Sequence, residues 1–182
     1  ILYSGKLTQH PKRIVDTFNV IADYLRMDES ATFTIIGDGP EKPEILSRIE
    51  REASPRIRYA GLIESEFMLD EIQRCNVFIL LSEFEGLPIA LMEAMGAGLV
   101  PIVFDIRSGI PELVTNRVEG FVVNDRKQSV IESLQFLKSN PLEFERMSNI
   151  SRLKILDGYS EGQVVRMWLN LFNDLRTRKD EH

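Results

Sequence analysis

The sequence predicts an α/β fold with a mainly parallel sheet, and three observations carry that reading. Short β-branched or apolar runs alternate with stretches of helical periodicity from one end to the other. Two of the runs, Val77–Leu81 and Leu99–Phe104, are continuously apolar, which marks strands covered on both faces. No short repeat or low-complexity linker divides the 182 residues, a length suited to one domain of about 100–200 residues with its own core.

Each element has its own signal. Ile1–Ser4 reads as a strand ended by Gly5. Ile14, Val15, Phe18, Ile21, Ala22 and Leu25 fall on one helical face. Ala31–Ile36 is rich in strand formers. After it, Asp38 with Glu41 three residues on predicts a capping box for a helix running to about Glu52. Ile57–Tyr59 is a short strand, Glu66–Arg74 a helix and Val77–Leu81 a buried strand. Pro88–Met95 reads as a helix with Pro in its first turn and Gly96 past its end. Leu99–Phe104 is the fifth strand, Gly109–Val114 a short helix and Gly120–Val123 the sixth strand. Helices over about Lys127–Ser139, Pro141–Leu156 and Ser160–Arg176 finish the chain, the last with Val164, Val165, Trp168, Leu171, Phe172 and Leu175 at helical spacing.

Composition excludes several function classes. Hydrophobic residues make up 43% and charged residues 27%, values of an ordinary globular protein. With 28 acidic and 22 basic residues the net charge is −6, which argues against nucleic acid as the main partner. A small phosphate ligand needs only a few local cations and stays open. The single Cys75 forms no internal disulfide and reads as a small core hydrophobe in a reducing compartment. No apolar run approaches the ~20 residues of a membrane helix, and the first residues lack the basic-then-apolar pattern of a signal peptide. The start at Ile1-Leu2-Tyr3, inside a strand and without an initiator Met, predicts a piece of a longer chain.

Parallel sheets bind ligands at the carboxyl ends of their strands, beside helix N-termini. The richest such segment is Ser82-Glu83-Phe84-Glu85-Gly86-Leu87-Pro88. Gly86 allows a close backbone approach, and the helix beginning at Pro88 offers unpaired N–H groups to an anion such as a diphosphate. Glu93 stands five residues beyond Pro88, about 7.5 Å along the axis, a reach that suits a carboxylate bonding a ribose. Such bonds contribute about 1.5–3 kcal/mol. As an isolated pair, Glu85 and Glu93 read more readily as solvent-facing residues, with Glu93 favouring its helix electrostatically.

The run from Ser82 to Gly98, with seven residues between Glu85 and Glu93, resembles the signature of retaining glycosyltransferases of family 4. These have the GT-B fold, two Rossmann-like domains with the active site between them. The likeness continues through Ser4-Gly5-Lys6-Leu7 with Lys12-Arg13, Ile35-Ile36-Gly37-Asp38-Gly39-Pro40, Tyr59-Ala60-Gly61, Pro101-Ile102-Val103, Gly109-Ile110-Pro111-Glu112 and Glu119-Gly120-Phe121. Ser108 stands where the family often has a first Gly. The chain is thus similar to the family's C-terminal, donor-binding half: a Rossmann-like domain over 1–182 with a six-stranded sheet and closing helices at about 141–176.

The resemblance implies roles residue by residue. Glu93 binds the ribose and Glu85 faces the donor sugar. Backbone around Gly86, Leu87, Pro88, Ile89 and Ala90 holds the diphosphate. Lys6 and Lys12 stabilise the leaving diphosphate, with Arg13 able to substitute, and Lys6 departs from the family's usual Arg. Gly37, Gly39, Gly61 and Leu62 lie near the base. No His, Cys or Asp cluster has metal-ligand spacing, and the family works without a bound metal, so no cofactor is expected beyond the nucleotide-sugar substrate. The implied enzyme is a retaining hexosyltransferase acting on a sugar or lipid-linked acceptor in polysaccharide or glycolipid synthesis. Its place is the cytoplasm or the inner face of the membrane. Its N-terminal acceptor domain lies outside these residues, and the isolated half is expected to be inactive. Two other readings are a non-catalytic nucleotide-sugar binding module and a flavodoxin-like interaction domain, the latter prompted by Asp105 at a strand end.

Overall fold

The computed structural model describes residues 1–107 and 109–180, with the side chains of 174, 175 and 177–180 outside the description. Ser108 and the side chain of Leu175 therefore lie outside it. Among the described residues the order is β1 (Leu2–Ser4), α1 (Ile14–Met27), β2 (Phe33–Ile36), α2 (Lys42–Glu52), β3 (Ile57–Gly61), α3 (Ser65–Gln73) and β4 (Val77–Leu80). There follow α4 (Ile89–Gly96), β5 (Val100–Phe104), α5 (Ile110–Leu113), β6 (Phe121–Val123), α6 (Gln128–Ser139), α7 (Pro141–Tyr159) and α8 (Glu161–Asp180).

The six strands form one sheet in the order β3-β2-β1-β4-β5-β6, every pair parallel. This is the nucleotide-binding order, with its switch point between β1 and β4. It differs from the flavodoxin-like order and so removes that reading. Strand pleating divides the core between two faces. Tyr3, Phe33, Ile35 and Ile79 pack on the side of α1, α2 and α6, against Phe18, Ile21, Ile45 and Leu134. Leu2, Ile36, Phe78 and Leu80 pack on the opposite side against Ile72, Leu91 and Met95, with Ile155 and Tyr159 of α7 closing that face.

Several helix starts differ from the expected ones. Asp38 caps nothing: its Oδ1 accepts the Gly39 N–H (2.7 Å), and its Oδ2 accepts Lys42 Nζ (2.9 Å). Helix α2 opens later, with Pro43 in its first turn where a missing N–H costs nothing. Pro88 is the N-cap of α4 rather than its first residue, and its carbonyl accepts from Leu91 (3.1 Å) and Met92 (3.2 Å). The cap legible in the structure is Asp125, whose Oδ1 accepts the N–H groups of Lys127 (2.9 Å), Gln128 (2.5 Å) and Ser129 (3.3 Å) before α6. At the far end of the chain, α7 and α8 extend to Tyr159 and Asp180.

Candidate active site at the carboxyl edge of the sheet

The loops after β1, β2 and β3 are joined by main-chain bonds. Gly5 N–H donates to Ile36 O (3.1 Å), Leu7 N–H to Asp38 O (2.9 Å) and Gly37 N–H to Gly61 O (2.8 Å). The contact is close enough that a Cβ on Gly37 (φ 132°) would stand 1.9 Å from Gly5 O, and one on Gly39 2.4 Å from Leu7 O. Gly37 and Gly39 thus have a structural duty that turn chemistry alone does not describe. Gly61 has open space around it, and Leu62 projects into solvent at 77% exposure.

The β1 and β4 loops meet across the switch point. Leu7 is fully buried and anchors the first, and buried Tyr3 donates its hydroxyl to Lys6 O (2.8 Å). Burial, and after it the charge of Glu85, pushes the Tyr3 hydroxyl above its ordinary range. Lys12 Nζ sits between both oxygens of Glu85, 2.8 Å from Oε1 and 2.9 Å from Oε2. Glu85 is 7% exposed and Lys12 26%. The structure therefore brings together these two predicted site residues, 73 positions apart.

Lys6 and Arg13 are placed differently. The Lys6 side chain is exposed and makes no ion pair among the described residues. Arg13 is paired instead with Asp16 (2.5 Å) and Glu83 (3.2 Å). Arg13 is also left-handed (φ 56°), an uncommon state for a side chain of this size. Glu83, which no motif singled out, also accepts from His10 Nδ1 (2.7 Å), and its own N–H donates to Pro11 O (2.8 Å).

Beyond Glu85 the chain turns at Gly86, whose carbonyl accepts Gly109 N–H (3.0 Å), and enters α4. The N–H groups of Ile89 and Ala90 open this helix and precede its first internal bonds. Ile89 is 60% and Leu87 45% exposed, so the helix start lies open. Glu93, one turn on, lines a cavity of about 460 Å³ between α3, α4 and α7, among Ser65, Met68, Ile89 and Tyr159. Desolvation by these apolar walls holds its carboxyl above the ordinary value. Two buried hydroxyls, Thr8 Oγ1 in one loop and Ser82 Oγ in the other, have no hydrogen-bond partner among the described residues. Arg126 underpins the arrangement: its Nε–H donates to Leu81 O (3.0 Å) and its guanidinium lies 3.5 Å from the centre of the Phe104 ring.

Comparison with known proteins places the chain in a family and a fold. Over 141 residues the chain is 30% identical to a GDP-mannose:cellobiosyl-diphosphopolyprenol alpha-mannosyltransferase of Xanthomonas campestris, covering 75% of this chain and 37% of that protein. Over 180 residues it is 24% identical to a poly(ribitol-phosphate) alpha-N-acetylglucosaminyltransferase of Staphylococcus aureus, covering 92% of this chain and 35% of that protein. It superposes on the pneumococcal O-GlcNAc transferase GtfA, solved in complex with UDP and GlcNAc, with TM-score 0.84 and 21% identity, over 95% of this chain and 35% of that one. The chain thus spans about a third of the length of these relatives. The profile of the family described as Glycosyl transferases group 1 matches residues 1–140, from β1 through α6, and the chain belongs to that family.

Proposed function

We propose that this domain holds the nucleotide-diphosphate end of a sugar donor, as the donor-binding part of a retaining glycosyltransferase with the GT-B architecture. The observation that carries the reading is the Lys12–Glu85 pair at the switch point, beside the open start of α4. A cation, a carboxylate and free helix N–H groups lie side by side there, a set that suits a diphosphate-linked sugar.

In this reading Glu93 accepts hydrogen bonds from the ribose and the N–H groups of Ile89 and Ala90 receive the phosphates. Breaking the sugar–phosphate bond builds negative charge on the departing diphosphate. Lys12 neutralises it, with Lys6 approaching from the same loop. Glu85 orients the donor sugar and is not assigned as a nucleophile. The bases named for the relatives, uracil in the pneumococcal complex and guanine in the Xanthomonas donor, make UDP and GDP the first candidates. The acceptor domain, a glycan or lipid-linked acceptor, retention of configuration, independence from metal and a place at the cytoplasmic face all belong to the same proposal. Among the described residues no helix is long and apolar enough to cross a membrane.

Calorimetric titration with UDP, GDP and ADP, with and without Mg²⁺, tests it. The expected result is saturable binding of one diphosphate, unchanged by metal and lost in Glu93→Ala. Absence of binding by all three overturns the reading for this domain.

A further inference from the structure

Lys12 is held by two different kinds of contact. Its own ammonium is gripped by Glu85. Its neighbours on both sides are gripped by Glu83: His10 Nδ1 lies 2.7 Å from Oε2, Pro11 O accepts the Glu83 N–H at 2.8 Å, and Arg13 lies 3.2 Å from Oε1. A diphosphate arriving at Lys12 competes directly for the ammonium, so the Glu85 grip is exchangeable. The Glu83 grip acts on residues 10, 11 and 13 and survives that exchange.

The loop has reason to need such an anchor. Arg13 adopts φ 56°, and a non-glycine residue held there is strained, persisting only where its surroundings fix it. Asp16 and Glu83 both bind its guanidinium, and Asp16 lies on the same helix, so Glu83 is the tie that comes from across the switch point. A lysine side chain has many rotamers to choose from, and a placed backbone confines where its ammonium can reach.

We propose that Glu83 is a positioning residue that keeps Lys12 at the phosphate site when Glu85 has let it go. This rests on the reading of Lys12 as a phosphate ligand, and the test separates the two.

The experiment is a double-mutant cycle of Glu83→Gln and Lys12→Ala in this domain, read by calorimetry with UDP and uridine and by thermal melting (GDP and guanosine if guanine proves to be the base). Glu83→Gln is expected to weaken UDP about fivefold to tenfold and uridine less than about twofold. In the Lys12→Ala background the same substitution is expected to change UDP less than about twofold, because a residue acting through Lys12 has nothing left to position. Additive losses overturn the proposal, as does a lower melting temperature with the UDP-to-uridine ratio unchanged. Wild-type protein that binds none of UDP, GDP and ADP, or a Lys12→Ala variant that binds as tightly as wild type, overturns the proposal together with the reading beneath it. Should Glu83→Gln not melt cooperatively, His10→Ala removes one arm of the anchor and is expected to weaken UDP about twofold without touching uridine; no change refutes the proposal.

Discussion

Replacing Glu85 by Gln is expected to tighten the binding of a free nucleoside diphosphate, against the intuition that removing a site residue weakens binding. The substitution keeps the shape and removes the charge that holds Lys12 at 2.8 and 2.9 Å. Two unit charges about 4 Å apart interact by about 4 kcal/mol at an effective dielectric of about 20. Lys12 is 26% exposed and regains water when released, so the net worth is closer to a charge-assisted hydrogen bond, about 1.5 kcal/mol. In the wild type an incoming diphosphate must overcome that amount, and it meets the like charge of Glu85. In the variant it does neither. UDP affinity should therefore rise about tenfold. The gain should shrink at about 0.5 M salt relative to about 0.05 M, because screening acts on the partly exposed partner. Calorimetry at the two salt concentrations reads both effects. A sugar-bearing donor should show less gain, since it loses its partner carboxylate. UDP affinity that is unchanged or lower in Glu85→Gln would refute the reasoning: Lys12 would then keep Glu85 while ligand is bound, or the phosphates would bind elsewhere.

Other perturbations test the frame and the second carboxylate. Gly37→Ala places a Cβ 1.9 Å from Gly5 O at φ 132°, and should cost about 3 kcal/mol in denaturant unfolding. Asp28, 6% exposed, accepts from Lys138 (2.6 Å), Ser30 N (3.0 Å) and Tyr24 (3.0 Å). Burial opposes its charge, but these bonds outweigh burial and hold its carboxyl below the ordinary range. A depressed folded value gives stability that is present above the unfolded value of about 3.9 and lost as pH falls. Asp28→Asn should therefore lose about 2 kcal/mol at pH 7, with the gap to wild type closing below about pH 4. Glu93 has the opposite sign: burial raises its carboxyl, so its contribution is lost as pH rises through the raised value. Glu93→Gln should melt slightly higher than wild type at pH 7 and alike at about pH 4, while losing nucleoside affinity at neutral pH.

Much of this architecture is readable before any coordinates. Continuous apolar runs mark β4 and β5 because a strand covered on both faces has no polar side to show. The Glu85–Glu93 spacing survives in the sequence because both residues belong to one loop and helix. Pairings at a distance leave no such trace. Lys12 meets Glu85 across 73 positions, and nothing periodic links them. Glu83 looks like any surface acid until the sheet order brings β1 beside β4. Local readings failed where a nearby tertiary bond won: Asp38 has the spacing of a cap, but Leu7 N–H takes its carbonyl and Lys42 its carboxylate, so the helix waits for Lys42 and Pro43. Asp125 caps α6 from outside the usual position, a variation that spacing alone does not disclose.

The stack of loops after β1, β2 and β3 is built from peptide groups and two glycines, with few side chains involved. Its shape is therefore insensitive to most substitutions at the positions that point outward, such as Leu62. Under the proposed function, contacts to the base would drift by point mutation while the main-chain platform stays put. For an engineer, that separates two kinds of position. Outward side chains on these loops are the ones to randomise when a different nucleotide is wanted; the glycine pair is the one to leave alone.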